Sequence, residues 1–337
     1  MKISLDGGAL CAPPEAQYGT YRFSTELVNA LKLYSQYDYN IYTFCTIPVD
    51  PELRTNIFYK KLIPATAWMK ARIPLEEKFQ PSDIFLGLNQ ALPAFSKSKL
   101  IAFSHGLSFL KFPELYKKDF PRLKTQLDDY IKRADWIIVT SRTVKKEMLE
   151  YAPDSKDKIK ILPFGLPQEY ENTAVLKLQK DPYFLYVGSD QPIKNLEALF
   201  RVFEQLRKEE EYRHFTLKLI GTDFERLPKG VSQIKHASLG KLQRLYGGAS
   251  AYLTTSLYES FNYPVVEALS LGCPVIGLKS AIIYEQRAFT HYAADEQEML
   301  DFMHYAARGS LPHIDRKALL QRFSWKNYVQ TLEKLYT

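Results

Sequence analysis

The chain has 337 residues, of which 46% are hydrophobic and 25% are charged. This length exceeds what one hydrophobic core comfortably supports, so we expect two globular domains, and the composition excludes a disordered or fibrous protein. The net charge of +7 is concentrated in residues 1–168, which carry 24 Lys and Arg against 18 Asp and Glu, whereas residues 169–337 carry 21 against 20. A basic first half suits an anionic partner, such as a phosphate-bearing substrate, a phosphate-bearing lipid or a nucleic acid.

The three cysteines, Cys11, Cys45 and Cys273, show no Cys-x-x-Cys spacing. We therefore expect neither a metal site nor a disulfide framework, and scattered thiols fit a reducing compartment. The amino terminus has one lysine and an apolar stretch too short for a signal sequence, and no apolar run is long enough to span a bilayer. These features predict a cytoplasmic protein, attached at most to the surface of a membrane.

Short apolar runs in the first half alternate with helical patterns, which is typical of βα units and a parallel sheet. Between the first two runs, apolar residues from Phe23 to Tyr34 recur at helical spacing. The predicted strands are Ile3–Leu5, Asn40–Thr46, Asp83–Leu88, Leu100–Ser104 and Trp136–Thr140.

The second half repeats the pattern after a stretch, residues 162–168, whose two prolines and one glycine continue neither a helix nor a strand. We therefore predict two doubly wound α/β domains joined near residue 168, with ligands bound beyond the carboxyl ends of the strands and the two edges forming one cleft. The predicted strands here are Tyr183–Val187, Phe215–Ile220, Ser250–Thr255 and Pro274–Leu278.

The most informative segment runs from Ser256 to Gly272 and follows an apolar strand. Pro264 suits the first turn of a helix, where its missing N–H costs little, and Gly272 ends that helix. The loop before it, Ser260-Phe261-Asn262-Tyr263, is therefore predicted to present backbone N–H groups at a helix amino terminus. Such a terminus binds a diphosphate or sugar oxygens.

Glu259 and Glu267 bracket this turn. In a continuous helix they would lie roughly 12 Å apart, too far for one acid–base pair. We interpret them as two separate groups on either side of a bound ligand. The alternative is that Glu267 only favours the helix dipole and that Glu259 is a solvated loop residue.

A second segment contains a buried strand that ends at Gly188, a polar loop with Ser189, and Lys194 at the start of an amphipathic helix. A lysine at a helix amino terminus opposes the helix dipole, which makes sense if an anion lies between them. The alternative is an exposed lysine with a small energetic cost.

His105 follows the strand Leu100–Ser104 at its carboxyl end, where open α/β sheets place ligand-binding residues. Gly19 and Arg22 lie ahead of the first predicted helix and form a weaker candidate for an acceptor-side or phosphate-binding loop.

Taken jointly, these segments resemble the large family of retaining, metal-independent GT-B glycosyltransferases of group 1, which includes many bacterial mannosyltransferases. The matches follow the order expected for that family and cover nearly the whole chain. They are Glu259–Glu267 for its E-x(7)-E element, Tyr186-Val-Gly-Ser with Lys194-Asn195 for its donor-phosphate loop, His105 to Glu114 for its first-domain histidine segment, Ala134–Ser141 with Ile159–Gly165 for the run into its linker, and Phe323-Ser-Trp325 for its closing helix.

The resemblance implies the GT-B fold, with two Rossmann-like domains facing each other across a cleft. Residues 1–168, completed by a helix over about 322–337, would bind the acceptor, and residues 169–321 would bind the donor. It implies transfer of a hexose from a nucleotide-diphosphate sugar to a glycan, lipid-linked or other acceptor, as in polysaccharide biosynthesis. Anomeric configuration would be retained, and neither a metal nor another cofactor would be required.

Roles for individual residues also follow from the resemblance. Glu267 would bind the ribose hydroxyls, and Glu259 with the amides of residues 260–263 would hold the donor sugar. Lys194 would neutralise the diphosphate, since fixed donors and a cation stabilise a leaving group as charge develops on it. His105 would approach the sugar from the other domain, and no residue is assigned as a nucleophile.

Some positions depart from the family pattern. Ser260 and Asn262 stand where glycines are frequent, and Ser189 and Ile193 occupy the positions of a common arginine. These departures leave open a second hypothesis, a catalytically silent member that binds a nucleotide sugar or a glycan. Nucleic-acid binding is not expected, because neither a known motif nor a stripe of stacking aromatics is present.

Membrane attachment is a separate hypothesis. Phe58–Pro64 and Ala67–Pro74 mix cations with apolar side chains, as an interfacial helix does. The two prolines, Pro64 and Pro74, are expected to limit any helix there to roughly two turns. The alternative is a helix along the cleft with a solvated basic side.

Overall fold

The computed structural model describes residues 1–13, 17, 19–48, 56–175, 181–312 and 314–337. The chain divides into two compact units. Unit 1 contains residues 1–165 and 324–337, and unit 2 contains residues 166–323. The sequence placed this boundary near residue 168.

Unit 1 is built on a parallel sheet of seven strands. The strands are β1 (Ile3–Asp6), β2 (Tyr39–Thr43), β3 (Ile57–Lys61), β4 (Ile84–Gly87), β5 (Lys99–Ser104), β6 (Trp136–Val139) and β7 (Ile159–Ile161), and their order in the sheet is β3-β2-β1-β4-β5-β6-β7. The α-helices in residues 1–165 are α1 (Gly19–Tyr34), α2 (Ile73–Phe79), α3 (Ser108–Lys111), α4 (Phe120–Arg133) and α5 (Arg142–Tyr151).

Unit 2 repeats the design with six parallel strands. They are β8 (Tyr183–Val187), β9 (Thr216–Ile220), β10 (Val231–Ile234), β11 (Ala251–Thr254), β12 (Val275–Leu278) and β13 (His291–Ala293), in the order β10-β9-β8-β11-β12-β13. Its helices are α6 (Gln168–Glu171), α7 (Leu196–Leu206), α8 (Leu239–Gly248), α9 (Tyr263–Ser270), α10 (Glu296–Ala307) and α11 (Arg316–Arg322). The chain then returns to unit 1 as α12 (Trp325–Glu333).

In both sheets the strand order reverses next to the first strand, between β1 and β4 in unit 1 and between β8 and β11 in unit 2. Doubly wound sheets bind ligands beyond the carboxyl ends of the strands at such a reversal. The prediction of doubly wound parallel sheets is therefore confirmed, and each unit has one expected ligand-binding edge.

The interfacial-helix hypothesis is wrong for its first segment. Residues from Ile57 to Lys61 form strand β3, which pairs in parallel with β2. Pro74 also does not end a helix, because it lies in the first turn of α2, where no backbone N–H is needed. Among the helices of the described residues, none combines the length and the apolar character that a membrane crossing requires.

The prediction of unbridged cysteines is also wrong. Cys11 and Cys45 form a disulfide, with their Cα atoms 5.6 Å apart. They are 34 residues apart in sequence, but Cys11 follows β1 and Cys45 follows β2, and these two strands are parallel neighbours. Residues beyond the carboxyl ends of adjacent parallel strands meet at one edge of the sheet, a proximity that spacing along the chain does not reveal.

Candidate functional site

The turn between β11 and α9 lies at the ligand-binding edge of unit 2. Pro264 occupies the first turn of α9, as predicted, and Asn262 precedes the helix with φ 65° and ψ 76°. This left-handed conformation favours glycine, and asparagine is among the few other residues that adopt it readily. Asn262 therefore keeps the backbone shape at a position where the family often has glycine.

Lys194 and Glu259 form an ion pair at this edge. The Lys194 ammonium lies 2.7 Å from Oε1 of Glu259, and the Ser256 hydroxyl donates to the same oxygen at 2.8 Å. Only 25% of the lysine side chain and 11% of the glutamate side chain are exposed. The alternative of a solvated Glu259 is therefore wrong, and the anion beside Lys194 in this structure is Glu259 itself.

The position of Lys194 follows from the end of β8. After that strand a short 3-10 helix, Pro192–Lys194, leads to Asn195, whose φ of 52° starts α7. The Asn195 side chain donates to the carbonyl of Thr255 at 3.3 Å, and the Thr255 hydroxyl donates to the carbonyl of Lys194 at 3.2 Å. The loops after β8 and β11 are thus tied together, which holds the lysine beside the glutamate.

Gly188 directly follows β8, and its backbone is closely packed against the side chain of Tyr186. Its φ is 154°, and a Cβ atom there would lie 2.6 Å from the hydroxyl oxygen of Tyr186. That hydroxyl donates to the carbonyl of Ser189 at 2.8 Å. Burial raises the pKa of Tyr186 well above its ordinary value, so the phenol stays protonated and remains a donor. Gly188 and Ser189 are therefore positioned by a buried phenol.

Glu267 is the fifth residue of α9 and is completely buried. The Tyr246 hydroxyl donates to its Oε2 at 3.1 Å. Since Glu267 lies outside the first turn of the helix, the alternative that it merely favours the helix dipole is wrong. Its assignment to the ribose stays a prediction.

His105 lies just beyond β5, at the ligand-binding edge of unit 1. Its Nε2 is 2.7 Å from the carbonyl oxygen of Leu88, and its ring meets that of Phe23 edge-on at 5.1 Å. Burial lowers the pKa of His105 below its ordinary value of 6.5, so the imidazole is neutral at pH 7. Phe23 directly follows Arg22 in α1, and Gly19 is the exposed first residue of that helix. The structure therefore brings His105 close to the first turns of α1.

Sequence reasoning missed three further polar residues at these edges. Asp6, at the end of β1, accepts hydrogen bonds from the Gly8 N–H at 2.9 Å and the Trp68 indole at 2.8 Å. In unit 2 the missed residues are Ser256 and Gln286, whose amide reaches the turn before α9. A serine, an aspartate or a glutamine outside a motif carries no signal in one sequence. Among the described residues, no group of three or more His, Cys, Asp or Glu side chains is arranged to hold a metal ion.

Solved structures define the fold first. Sucrose-phosphate synthase from Thermosynechococcus elongatus aligns over 99% of this chain and 98% of its own, with a TM-score of 0.72 and 17% identity. WaaG, a glycosyltransferase involved in lipopolysaccharide biosynthesis, aligns over 99% and 98%, with a TM-score of 0.66 and 14% identity. With its two parallel-sheet units, the chain has the GT-B fold.

Sequence comparison then shows a likeness to one family. Residues 168–286 match the family model described as Glycosyl transferases group 1. This segment is thus similar to the group 1 glycosyltransferases, which confirms the resemblance that the motifs indicated.

Curated relatives agree with this placement. O-antigen chain mannosyltransferase B of Escherichia coli is 26% identical over 57% of this chain and 56% of its own length. O-antigen chain mannosyltransferase RfbU of Salmonella typhimurium is 24% identical over 46% and 45%. The chain thus spans about half the length of these relatives, and 28% of the serotype-specific mannosyltransferase WbdA of Escherichia coli.

Proposed function

We propose that the protein transfers a sugar from a nucleotide-diphosphate sugar to a glycan or lipid-linked acceptor, with retention of anomeric configuration and without a metal ion. Unit 2 binds the donor in this proposal, and unit 1 binds the acceptor. The observation that carries it is the Lys194–Glu259 pair at the strand-order reversal of unit 2, next to the amino terminus of α9.

The chemistry of the pair supports this assignment. A diphosphate leaving group gains charge as the glycosidic bond breaks, and a fixed cation with backbone donors stabilises that charge. Lys194 supplies the cation, and Glu259 offers a carboxylate to sugar hydroxyls once the diphosphate has taken over the lysine. The names of the relatives make a mannosyl donor the first to test.

A thermal-shift screen over nucleoside diphosphates and their sugars tests the donor. A ligand that binds only the folded state at a hundred times its Kd stabilises that state by about 2.7 kcal/mol. We expect one nucleotide series to raise the melting temperature of the wild type and to fail with Lys194→Met. Lys235→Met is the matched control, because Lys235 is also ion-paired in unit 2 but lies on its exposed surface. No shift with any nucleotide would overturn the proposal.

Two measurements test the finer parts. The anomeric configuration of the first-formed product, followed by NMR, must equal that of the donor. Activity must survive a chelator at a concentration that removes divalent cations. An inverted product or a lost activity overturns the corresponding part of the proposal.

Peripheral attachment to an anionic membrane is the second element of the proposal. In residues 63–79 of unit 1, the exposed fraction is 74% for Phe79 and 66% for Ile63. Lys70 and Lys78 in the same segment are also exposed. Apolar side chains beside cations bind the interface of anionic lipids. We expect the protein to co-sediment with anionic vesicles and the Phe79→Ser variant to do so less. Equal binding to neutral and anionic vesicles would contradict attachment to an anionic membrane.

The alternative is a silent member that binds a nucleotide sugar or a glycan. The departures from the family pattern favour it, because Ser189 and Ile193 occupy the positions of a common arginine that would share the charge of the diphosphate with Lys194. Slow hydrolysis of a nucleotide sugar without acceptor distinguishes the two functions, because only an active enzyme accelerates it.

A further inference from the structure

Gln286 is a buried polar residue behind the turn that precedes α9. It lies in a short 3-10 helix, Tyr284–Phe289, and none of its surface is exposed. Its Nε2 donates to the carbonyl oxygen of Phe261 at 2.6 Å and to that of Asn262 at 3.2 Å. Only the NH₂ end of a carboxamide donates hydrogen bonds, so two facing carbonyls fix the orientation of this side chain.

These two contacts set the direction of two peptide N–H groups. A trans peptide is planar, and its C=O and N–H point in opposite directions. The carbonyl of Phe261 shares a peptide plane with the N–H of Asn262, and the carbonyl of Asn262 shares one with the N–H of Tyr263. Gln286 holds the carbonyl of Phe261, and it shares the carbonyl of Asn262 with the Val265 N–H, which donates to it at 3.2 Å in the first turn of α9. Both N–H groups therefore point away from Gln286.

The turn is held from a second direction by Asn262 itself. Its side-chain amide donates to the carbonyl of Ala281 at 3.1 Å, with a longer contact of 3.4 Å to the hydroxyl of Thr254. Ala281 follows β12 and Thr254 ends β11, so the turn is fastened to the loops of both strands. Donors that are fixed before a charge arrives stabilise it without reorganisation cost.

Burying the side chain of Gln286 lowers the stability of the fold unless its hydrogen bonds compensate. Among the described residues its Oε1 has no hydrogen-bond partner, although it is buried. A buried acceptor without a partner costs free energy, and an apolar side chain of similar volume would avoid that cost. What Gln286 offers that an apolar residue does not is therefore its pair of hydrogen bonds to the turn.

We propose that Gln286 is a positioning residue for the donor: through the carbonyl of Phe261 it orients the amide of Asn262 toward the diphosphate or the sugar of the nucleotide sugar. The residue acts through the backbone and touches no substrate. This inference rests on the proposed donor site in unit 2 and assigns a residue to it that no motif identifies.

The test compares Gln286→Leu, Gln286→Glu and a control, Gln243→Leu. Gln243 is a second glutamine of unit 2 whose amide donates to a backbone carbonyl, that of Glu169 at 2.9 Å. The Kd values for uridine diphosphate and guanosine diphosphate are measured by calorimetry, together with the melting temperature of each variant. We expect Gln286→Leu to raise the Kd of the diphosphate that the wild type binds about tenfold or more, as for loss of oriented donors to a charged group. The Kd of the same diphosphate for Gln243→Leu should stay within about twofold of wild type.

Gln286→Glu adds a signature that a packing role lacks. An ionised glutamate places negative charge against two carbonyl oxygens, whereas a protonated one donates again to the turn. Relative to wild type, we expect its diphosphate Kd to fall as the pH is lowered from 8 to 5. If Gln286→Leu does not fold, this titration decides, and a constant ratio to wild type overturns the proposal.

The remaining outcomes separate this proposal from the function on which it rests. A wild type that binds neither diphosphate overturns both. A wild type that binds, with Gln286→Leu unchanged or with Gln243→Leu equally impaired, overturns only the role of Gln286.

Discussion

At the scale of single residues, the Lys194–Glu259 pair makes the carboxylate a competitor, for the lysine, of the diphosphate of the proposed donor. The 2.7 Å contact is mostly shielded from water, and a diphosphate must replace Glu259 on the lysine. We therefore predict that Glu259→Gln binds free nucleoside diphosphate at least as tightly as wild type, while its transfer rate falls about a hundredfold or more. Lys194→Met should weaken the same binding by about ten- to a hundredfold, since a hydrogen bond to a charged group contributes about 1.5–3 kcal/mol.

Calorimetry on both variants and on the double variant measures this coupling directly. In the double variant the effect of Glu259→Gln should vanish, because the lysine for which the groups compete is gone. A Glu259→Gln protein that binds diphosphate as poorly as Lys194→Met would show that the carboxylate assists binding rather than opposing it.

His105 gives a pH-dependent prediction. Burial lowers its pKa below 6.5, so between that lowered value and 6.5 the unfolded chain binds a proton that the folded protein does not. Stability must therefore rise with pH through this window and fall as the pH drops below 6.5, by at most about 1.4 kcal/mol per pH unit. His105→Gln, which keeps a donor for Leu88, should lose less stability between pH 7 and pH 5.

Urea unfolding at the two pH values checks this prediction. The pKa of His291 is also lowered by burial, so part of the pH dependence should remain in the His105→Gln variant. An identical loss of stability in wild type and variant would contradict a neutral, buried His105.

At the scale of elements, the sequence predicted the strands that are buried on both faces and missed those at the edges. Central strands such as β1, β4 and β11 are buried at every position and appear as continuous apolar runs. Of the missed strands, β3 has one buried residue and β10 has none. The other two missed strands, β7 and β13, are only three residues long. An edge strand has a neighbouring strand on one side only and fewer buried residues, so its sequence lacks the continuous apolar run that identifies a central strand.

The candidate site shows the same limit. The helix start at Pro264, the glycine at the end of β8 and the histidine after β5 follow from local sequence. The contact between Lys194 and Glu259 joins residues 65 apart, and the contacts of Gln286 join residues 24 and 25 apart. Such pairings depend on strand order, which no spacing along the chain specifies.

The carboxyl end of α9 depends on a distant arginine. Arg316 donates to the carbonyl of Ser270 at 2.7 Å and to that of Thr173 at 2.8 Å, and so ties α9 to the segment after α6. A guanidinium makes these divergent contacts at once, and a lysine ammonium does not reproduce their geometry. We predict that Arg316→Met lowers the free energy of unfolding of unit 2 by about 1.5–3 kcal/mol and that Arg316→Lys restores little of it.

Circular dichroism during urea unfolding measures this change, with Arg213→Met as the control, since Arg213 pairs with Glu210 on the exposed surface of the same unit. Surface ion pairs of that kind contribute about 0–1 kcal/mol. Equal losses for Arg316→Met and Arg213→Met would refute a special role of Arg316 in holding α9.

At the scale of the whole molecule, unit 1 contains two separate stretches of the chain, residues 1–165 and 324–337, which contact each other at Gly165 and Trp325. Trp325 is 1% exposed, and the ring of Phe164 stacks on it at 6.4 Å. A Cβ atom on Gly165 would lie 2.4 Å from two atoms of the Trp325 ring and 2.6 Å from its backbone nitrogen. Backbone cannot move aside cheaply, so Gly165→Ala should destabilise unit 1 by about 1–3 kcal/mol, as overpacking does.

The distribution of tryptophans makes this prediction measurable for one unit at a time. The three tryptophans of the chain, Trp68, Trp136 and Trp325, all belong to unit 1, so tryptophan fluorescence during denaturation reports on that unit. We expect Gly165→Ala to shift the fluorescence transition to lower denaturant and to leave nucleoside-diphosphate affinity, a property proposed for unit 2, unchanged in dilute buffer. Gly240→Ala is the control, because a Cβ atom there meets nothing within 4 Å and alanine favours its helix α8. An unshifted fluorescence transition in Gly165→Ala would mean that the returning segment from Ser324 to Thr337 is not packed against Gly165 in solution.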